Sequence, residues 1–162
     1  MRGTAVVLAA VAVLAAGGSP PTRAVVPPRE APARVVLPVD GLVVRPFSAP
    51  EGRFGPGHRG VDIAAAAGDA VRAALPGRVA FAGVVAGRGW VTVDHGGGLR
   101  TTYGVLQPRA VTAGEAVRGG QMLGLLAPGA AHVDWGARLH GEYIDPLRLF
   151  GRWEPHLVRL PR

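Results

Sequence analysis

The 162-residue chain has no cysteine. That excludes disulfide frameworks, thiolate metal sites, thiol nucleophiles and the lipid-bearing cysteine of a lipoprotein anchor. Lysine is also missing, so all 18 basic residues are arginine. Serine occurs twice: Ser19 lies in a proline-rich stretch and Ser48 has no nucleophile-elbow context, so serine hydrolase chemistry has no seat. Aromatics make up only 6% and the arginines are scattered rather than clustered, which argues against a nucleic-acid surface. No glycine loop leads into a helix to cradle phosphate, and no stretch keeps the 3.6-residue period of a long amphipathic helix. What is abundant is Ala, Val, Gly and Arg, with a formal charge of +7. Such a bias reads first as compositional. Functionally it suits attraction to an anionic surface such as a cell-wall polymer.

The length allows one ordinary domain. Met1-Arg2 followed by the small and apolar run Thr4 to Ala16, with Ala15, Ala16 and Gly17 as cleavage-type residues, reads as an export leader over 1–17. The run is too short for a standard span, so any membrane contact is expected only through an uncleaved leader, and the remainder is expected outside the membrane, secreted or in the cell envelope. Residues 18–38 carry six prolines and no apolar period, the pattern of an extended linker. From 39 to 151 short apolar runs alternate with Gly, Pro and Asp turns, as in an all-β domain; 152–162 read as a tail. Strands are expected near 42–45, 59–64, 70–74, 77–83, 89–95, 99–105, 122–126 and 132–138, with Gly96-Gly97-Gly98 closing a hairpin and a single helical turn over 146–150. Gly68-Asp69-Ala70-Val71-Arg72 echoes Gly114-Glu115-Ala116-Val117-Arg118. Two such units suit a compact sandwich or barrel-like sheet. Lipoyl- and biotinyl-carrier domains show the same pattern, but they need a lysine.

His58 and Asp62 stand four apart in Gly57-His58-Arg59-Gly60-Val61-Asp62-Ile63. Gly60, Val61 and Ile63 favour a strand, which puts His58, Gly60 and Asp62 on one face and Val61 and Ile63 on the other. Imidazole and carboxylate are both zinc ligands. A single His/Asp pair is more often a hydrogen-bonded surface feature, so the question is what joins it. His132-Val133-Asp134 offers two more polar side chains on one strand face and would complete such a site. His140 reads as a solvated turn residue, His95 as a hydrogen-bonding residue before its glycine turn, and His156 lies in the tail. Paired-carboxylate chemistry among Asp62, Asp69, Asp94 and Asp134 stays open.

Five segments then fall in a familiar order: His58-Arg59-Gly60-Val61-Asp62; Gly68 to Ala74; Gly77 to Gly83; Val93-Asp94-His95-Gly96-Gly97-Gly98-Leu99-Arg100-Thr101-Thr102-Tyr103; and Val117 to Gly124. From about Pro46 to Gly151 the chain resembles the lysostaphin/LytM-type zinc metallopeptidases. The resemblance implies an antiparallel β-sheet sandwich or barrel-like core, a zinc site in a groove, and action on peptide cross-links of bacterial peptidoglycan.

Carried over residue by residue, the resemblance makes His58 and Asp62 the first two metal ligands, Asp134 the occupant of a third position that is His in the family, and His132 a catalytic His. A further catalytic His is expected in Tyr-x-His-Leu, where this chain has Tyr103-Gly104-Val105-Leu106. Two of five expected site residues are thus replaced. Asp134 is still a legitimate zinc ligand, but a second carboxylate takes the net charge of a divalent site from +1 to zero and weakens its acidifying power. Val105 can neither move a proton nor hold an oxyanion. The resemblance therefore implies either a weakened zinc metalloendopeptidase or a non-catalytic module, which binds peptidoglycan peptides or regulates a partner murein hydrolase through the same groove.

Overall fold

The computed structural model describes residues 34–52 and 55–151. The expected leader, residues 18–33 of the expected linker, His156 and the 152–162 tail lie outside the described residues. Eleven strands follow in chain order: β1 (Val43–Arg45), β2 (Gly60–Ala64), β3 (Ala70–Arg72), β4 (Gly77–Val85), β5 (Arg88–Asp94), β6 (Leu99–Gly104), β7 (Leu106–Arg109), β8 (Ala116–Val117), β9 (Met122–Leu126), β10 (His132–Leu139) and β11 (Glu142–Ile144). Among the described residues the one helical element is a 3₁₀ turn over Pro146–Phe150, where the Asp145 side chain accepts the Leu147 N–H. β7 and β11 were not expected from sequence, and β8 was expected only as the short strand entered by the Gly-acid turn of the 114–118 echo. β7 contains Pro108, and β8 and β11 hold only two and three residues, too few for alternation to register.

All pairings are antiparallel. The larger sheet runs β1-β2-β10-β6-β5-β4-β8, with β11 added on β10, and the smaller runs β3-β9-β7. The chain is thus all-β, as expected. Alternation explains how the sheets share a core. Val61, Ile63, Val91, Val93, Tyr103, Val133 and Trp135 from the large sheet are fully buried, and they belong to one cluster with Val71, Leu106, Leu123 and Leu126 from the small one. Burying a side chain of that size contributes about 1.5–3 kcal/mol. The hairpin between β5 and β6 turns through Gly96, Gly97 and Gly98, all at positive φ (77°, 57° and 78°), which side chains with a Cβ rarely adopt.

The opposite face of the large sheet is organised into transverse rows by its register. Asp62 lies opposite Asp134, Asp134 opposite Gly104, and Gly104 opposite Trp90. The next row is Gly60, Gly136, Thr102 and Thr92. Beyond it run Arg138, Arg100, Asp94 and Arg78. An acidic row, a row of small residues and a basic row therefore follow one another across the sheet and share β10, β6 and β5.

Candidate functional site

The acidic row is where the sequence-selected residues meet. His58 precedes β2, in an isolated bridge with Ser48 whose two N–H···O bonds, of 3.0 and 2.9 Å, pin the approach to the sheet. Its Nδ1 lies 2.8 Å from the Pro46 carbonyl oxygen. A carbonyl only accepts, so Nδ1 donates to it, and Nε2 is the nitrogen that faces Asp62 Oδ1, at 3.1 Å, with both side chains nearly buried (11% and 10% exposed). A shared proton or a cation holds such a pair together. Orienting a histidine through its second nitrogen is how metal-binding imidazoles are held.

Asp134 reaches the same point from β10. One ligand atom from each of His58, Asp62 and Asp134 lies within 4.8 Å of the others. Burial pushes the Asp134 carboxyl upward, and the neighbouring Asp62 charge pushes the same way, against the pull of His58, His132 and Arg45. One imidazole nitrogen and two carboxylate oxygens form a hard, zinc-compatible donor set, and a divalent ion there would relieve the crowding of two carboxylates. The residues fit the metal. His132 stands beside this cluster, its Nε2 3.9 Å from Asp62 Oδ2 and its side chain 41% exposed. Val105 follows Gly104, the residue opposite Asp134, at the end of β6.

The cluster forms one wall of a groove of about 620 Å³, whose lining includes Gly60, Thr92, Thr102, Gly136 and Trp90. Its floor is kept low at Gly60, where a Cβ would sit 2.5 Å from the Trp135 carbonyl oxygen. The far end is basic and aromatic, with Arg59, Arg100, Arg138 and Tyr143. Sequence reasoning missed this end entirely. The arginines are far apart in the chain, and only the β6–β10 register sets Arg100 against Arg138.

His95 and His140, set aside as ligands from sequence, lie elsewhere. His140 is an exposed turn residue between β10 and β11 with φ 51°. His95 bonds the Pro76 carbonyl through Nδ1 (2.8 Å) and Thr101 Oγ1 through Nε2 (2.7 Å).

The model of peptidase family M23 matches residues 56–146. The chain belongs to peptidase family M23. An uncharacterised protein of Mycobacterium tuberculosis is 42% identical over 117 residues, covering 66% of this chain and 47% of that protein. The chain thus spans about half the length of the curated relatives it matches first. The DD-carboxypeptidase/endopeptidase Mpg of Neisseria meningitidis is 33% identical over 95 residues, 56% of this chain and 22% of that one. The murein hydrolase activator NlpD of Salmonella typhimurium is 30% identical over 117 residues, 68% and 30% respectively. Among solved structures, Helicobacter pylori Csd3 superposes with a TM-score of 0.63 at 31% identity, over 75% of this chain and 34% of that one. The catalytic domain of lysostaphin from Staphylococcus simulans shares the fold, with a TM-score of 0.55 at 24% identity, over 69% and 91%. The M23 domain of this chain is thereby related to peptidoglycan peptidases and to murein hydrolase activators.

Proposed function

We propose that this is an exported M23 domain that engages peptidoglycan peptides in its groove, with a zinc site whose hydrolytic power is weakened or lost. The supporting observation is the convergence of His58, Asp62 and Asp134 at one wall of the groove, beside a position where the family resemblance expects a second catalytic His and the chain has Val105. His58, Asp62 and Asp134 would hold the ion, which when bound supplies Lewis acidity and a lowered pKa for coordinated water. His132, at the mouth of the cluster, would accept or return a proton at Nε2. Val105 supplies no second imidazole at the position where the resemblance expects one, and loss of one such group typically costs about 10²–10³ in rate. The leader-like residues 1–17 and the cell-wall relatives support an extracytoplasmic location.

A second reading keeps the groove and drops the chemistry: a non-catalytic module that binds the wall or regulates a partner hydrolase. It draws on the loss at Val105 and on the similarity to an activator of murein hydrolases. The deciding experiment pairs metal analysis of the purified protein with release of soluble fragments from peptidoglycan. Wild type is expected to release fragments at least about 100-fold more slowly than Val105→His/Asp134→His, which should also hold zinc more tightly. Full-strength release by the wild type would overturn the weakened-site reading, and wall binding without any release in either protein would favour the second.

A further inference from the structure

The basic end of the groove has no role in the metal chemistry, yet it is built with care. Arg138 and Arg100 face each other directly across β10 and β6. Like charges in that position destabilise a sheet. One of the pair is compensated: Arg100 Nε donates to Asp94 Oδ2 at 2.9 Å. Arg138 has no carboxylate partner among the described residues. Its guanidinium instead lies 4.0 Å from the centre of the Tyr143 ring and donates to the Tyr143 hydroxyl. Arg59, which donates to the Gly55 carbonyl at 3.3 Å, approaches the same ring at 5.6 Å. Tyr143 is itself fixed opposite Arg138 by the β10–β11 pairing. Glu142 lines a neighbouring depression shared by Arg59 and Arg138 and forms no ion pair among the described residues. Two guanidinium groups are thus held around one aromatic ring, which removes much of the ordering cost of receiving an anion.

Arg138 is four residues beyond Asp134 on the same strand, about 13 Å along it, with Gly136 bare between them. A peptide over the small-residue row therefore meets the proposed zinc ligands on one side and the arginines on the other. We infer that Arg138, supported by Arg59 and Arg100, is a carboxylate-binding subsite, so that the peptide taken by this groove carries a free carboxylate close to the bond presented to the metal side. The inference rests on reading the groove as a peptide site. Planar carboxylate matches the guanidinium fork, whereas a neutral, glycine-type peptide would leave Arg138 uncompensated.

The test uses purified peptidoglycan freed of accessory polymers, either native or with its carboxylates converted to amides by carbodiimide and ammonia. Binding is measured by co-sedimentation and fragment release is scored separately. Amidation is expected to weaken wild-type binding about 10-fold. Arg138→Gln should weaken binding to native material by a similar factor and lose the sensitivity to amidation, and Arg138→Lys should fall between. Arg118→Gln, which removes an equal charge from an exposed turn outside the groove, should bind like wild type. The subsite is overturned if amidation leaves wild-type binding unchanged, or if Arg118→Gln loses as much as Arg138→Gln, which would reduce the effect to net charge. Should Arg138→Gln fail to fold, the amidation comparison on wild type decides alone. Release without carboxylate discrimination would sink the subsite and spare the peptidase reading; discrimination without release would do the reverse.

Discussion

Val105 holds φ at 67°, a left-handed backbone that β-branched residues avoid and that Asn, Asp and His enter more readily. The conformation suits the His that the family resemblance expects there better than the residue present. Such a position stores roughly 1–3 kcal/mol, offset in part by the contacts of Val105 with the core. Val105→Asn is therefore expected to gain about 0.5–1 kcal/mol, read as a rise of a few degrees in the thermal midpoint; an unchanged or lower midpoint would show that the apolar contacts outweigh the backbone term. Residue identity alone made His58 and Asp62 visible, because they share one strand face within five residues. It also exposed the replacements at 105 and 134. The strain at 105 had no sequence signal, since a φ value is set by the bend that carries β6 into β7.

At the scale of elements, the two sheets are tied by a polar chain through an otherwise apolar core. The Ala74 N–H, just past β3, donates to the Tyr103 hydroxyl on β6 at 2.7 Å. That hydroxyl lies 2.8 Å from Thr101 Oγ1, which lies 2.7 Å from His95 Nε2. Burial pushes the Tyr103 phenol up to about 12. Burial also lowers the His95 pKa, against the Pro76 hydrogen bond and the Asp94 charge. A histidine with a folded pKa below its unfolded value near 6.5 binds more protons unfolded than folded in that interval. Its stabilising contribution is present above about pH 6.5 and is lost as pH falls through the lowered folded pKa. The urea midpoint of the wild type should therefore drop between pH 7.5 and pH 5, and the drop should shrink in His95→Gln; equal drops in both would remove His95 as the cause. Three turns show how local chemistry sets these elements. Asp69, Glu115 and Gln121 each accept, through the side chain, the N–H three residues earlier, from Ala66, Thr112 and Arg118. The Gly-acid echo at 68–69 and 114–115 was readable because the turn demands both residues. The third copy, Gly120-Gln121, uses an amide where the others use a carboxylate, and so did not match the pattern.

For the whole molecule, alternation and turn residues were enough to read an all-β domain and most of its strands, and the ordered motifs pointed to the family. Pairing was not readable. That Asp134 lies opposite Asp62, and Arg138 opposite Arg100, follows from a register between residues 72 and 38 apart in the chain, and no local pattern encodes it. The acidic wall and the basic end both arise this way. The proposed zinc site joins β10 to β2 and the segment before it, so the ion should stabilise the folded state by mass action. Zinc at about 100 times its dissociation constant adds roughly 2.7 kcal/mol, or roughly 10 °C in the thermal midpoint for a domain of this size. Asp134→Asn should abolish most of that shift, and a zinc-independent midpoint in the wild type would count against any resident ion.

The small-residue floor of Gly60, Gly136, Thr102 and Thr92 also acts as a measuring scale. Its graduations are strands, about 4.8 Å apart, whereas an extended peptide advances about 3.3 Å per residue, so a β-like ligand lying across it drifts out of step at once. A polyproline II segment, with three residues in about 9.3 Å, completes one turn for every two strands and returns the same side to the floor. The spacing of the sheet favours that left-handed, three-residue rhythm over the two-residue rhythm of the protein's own strands.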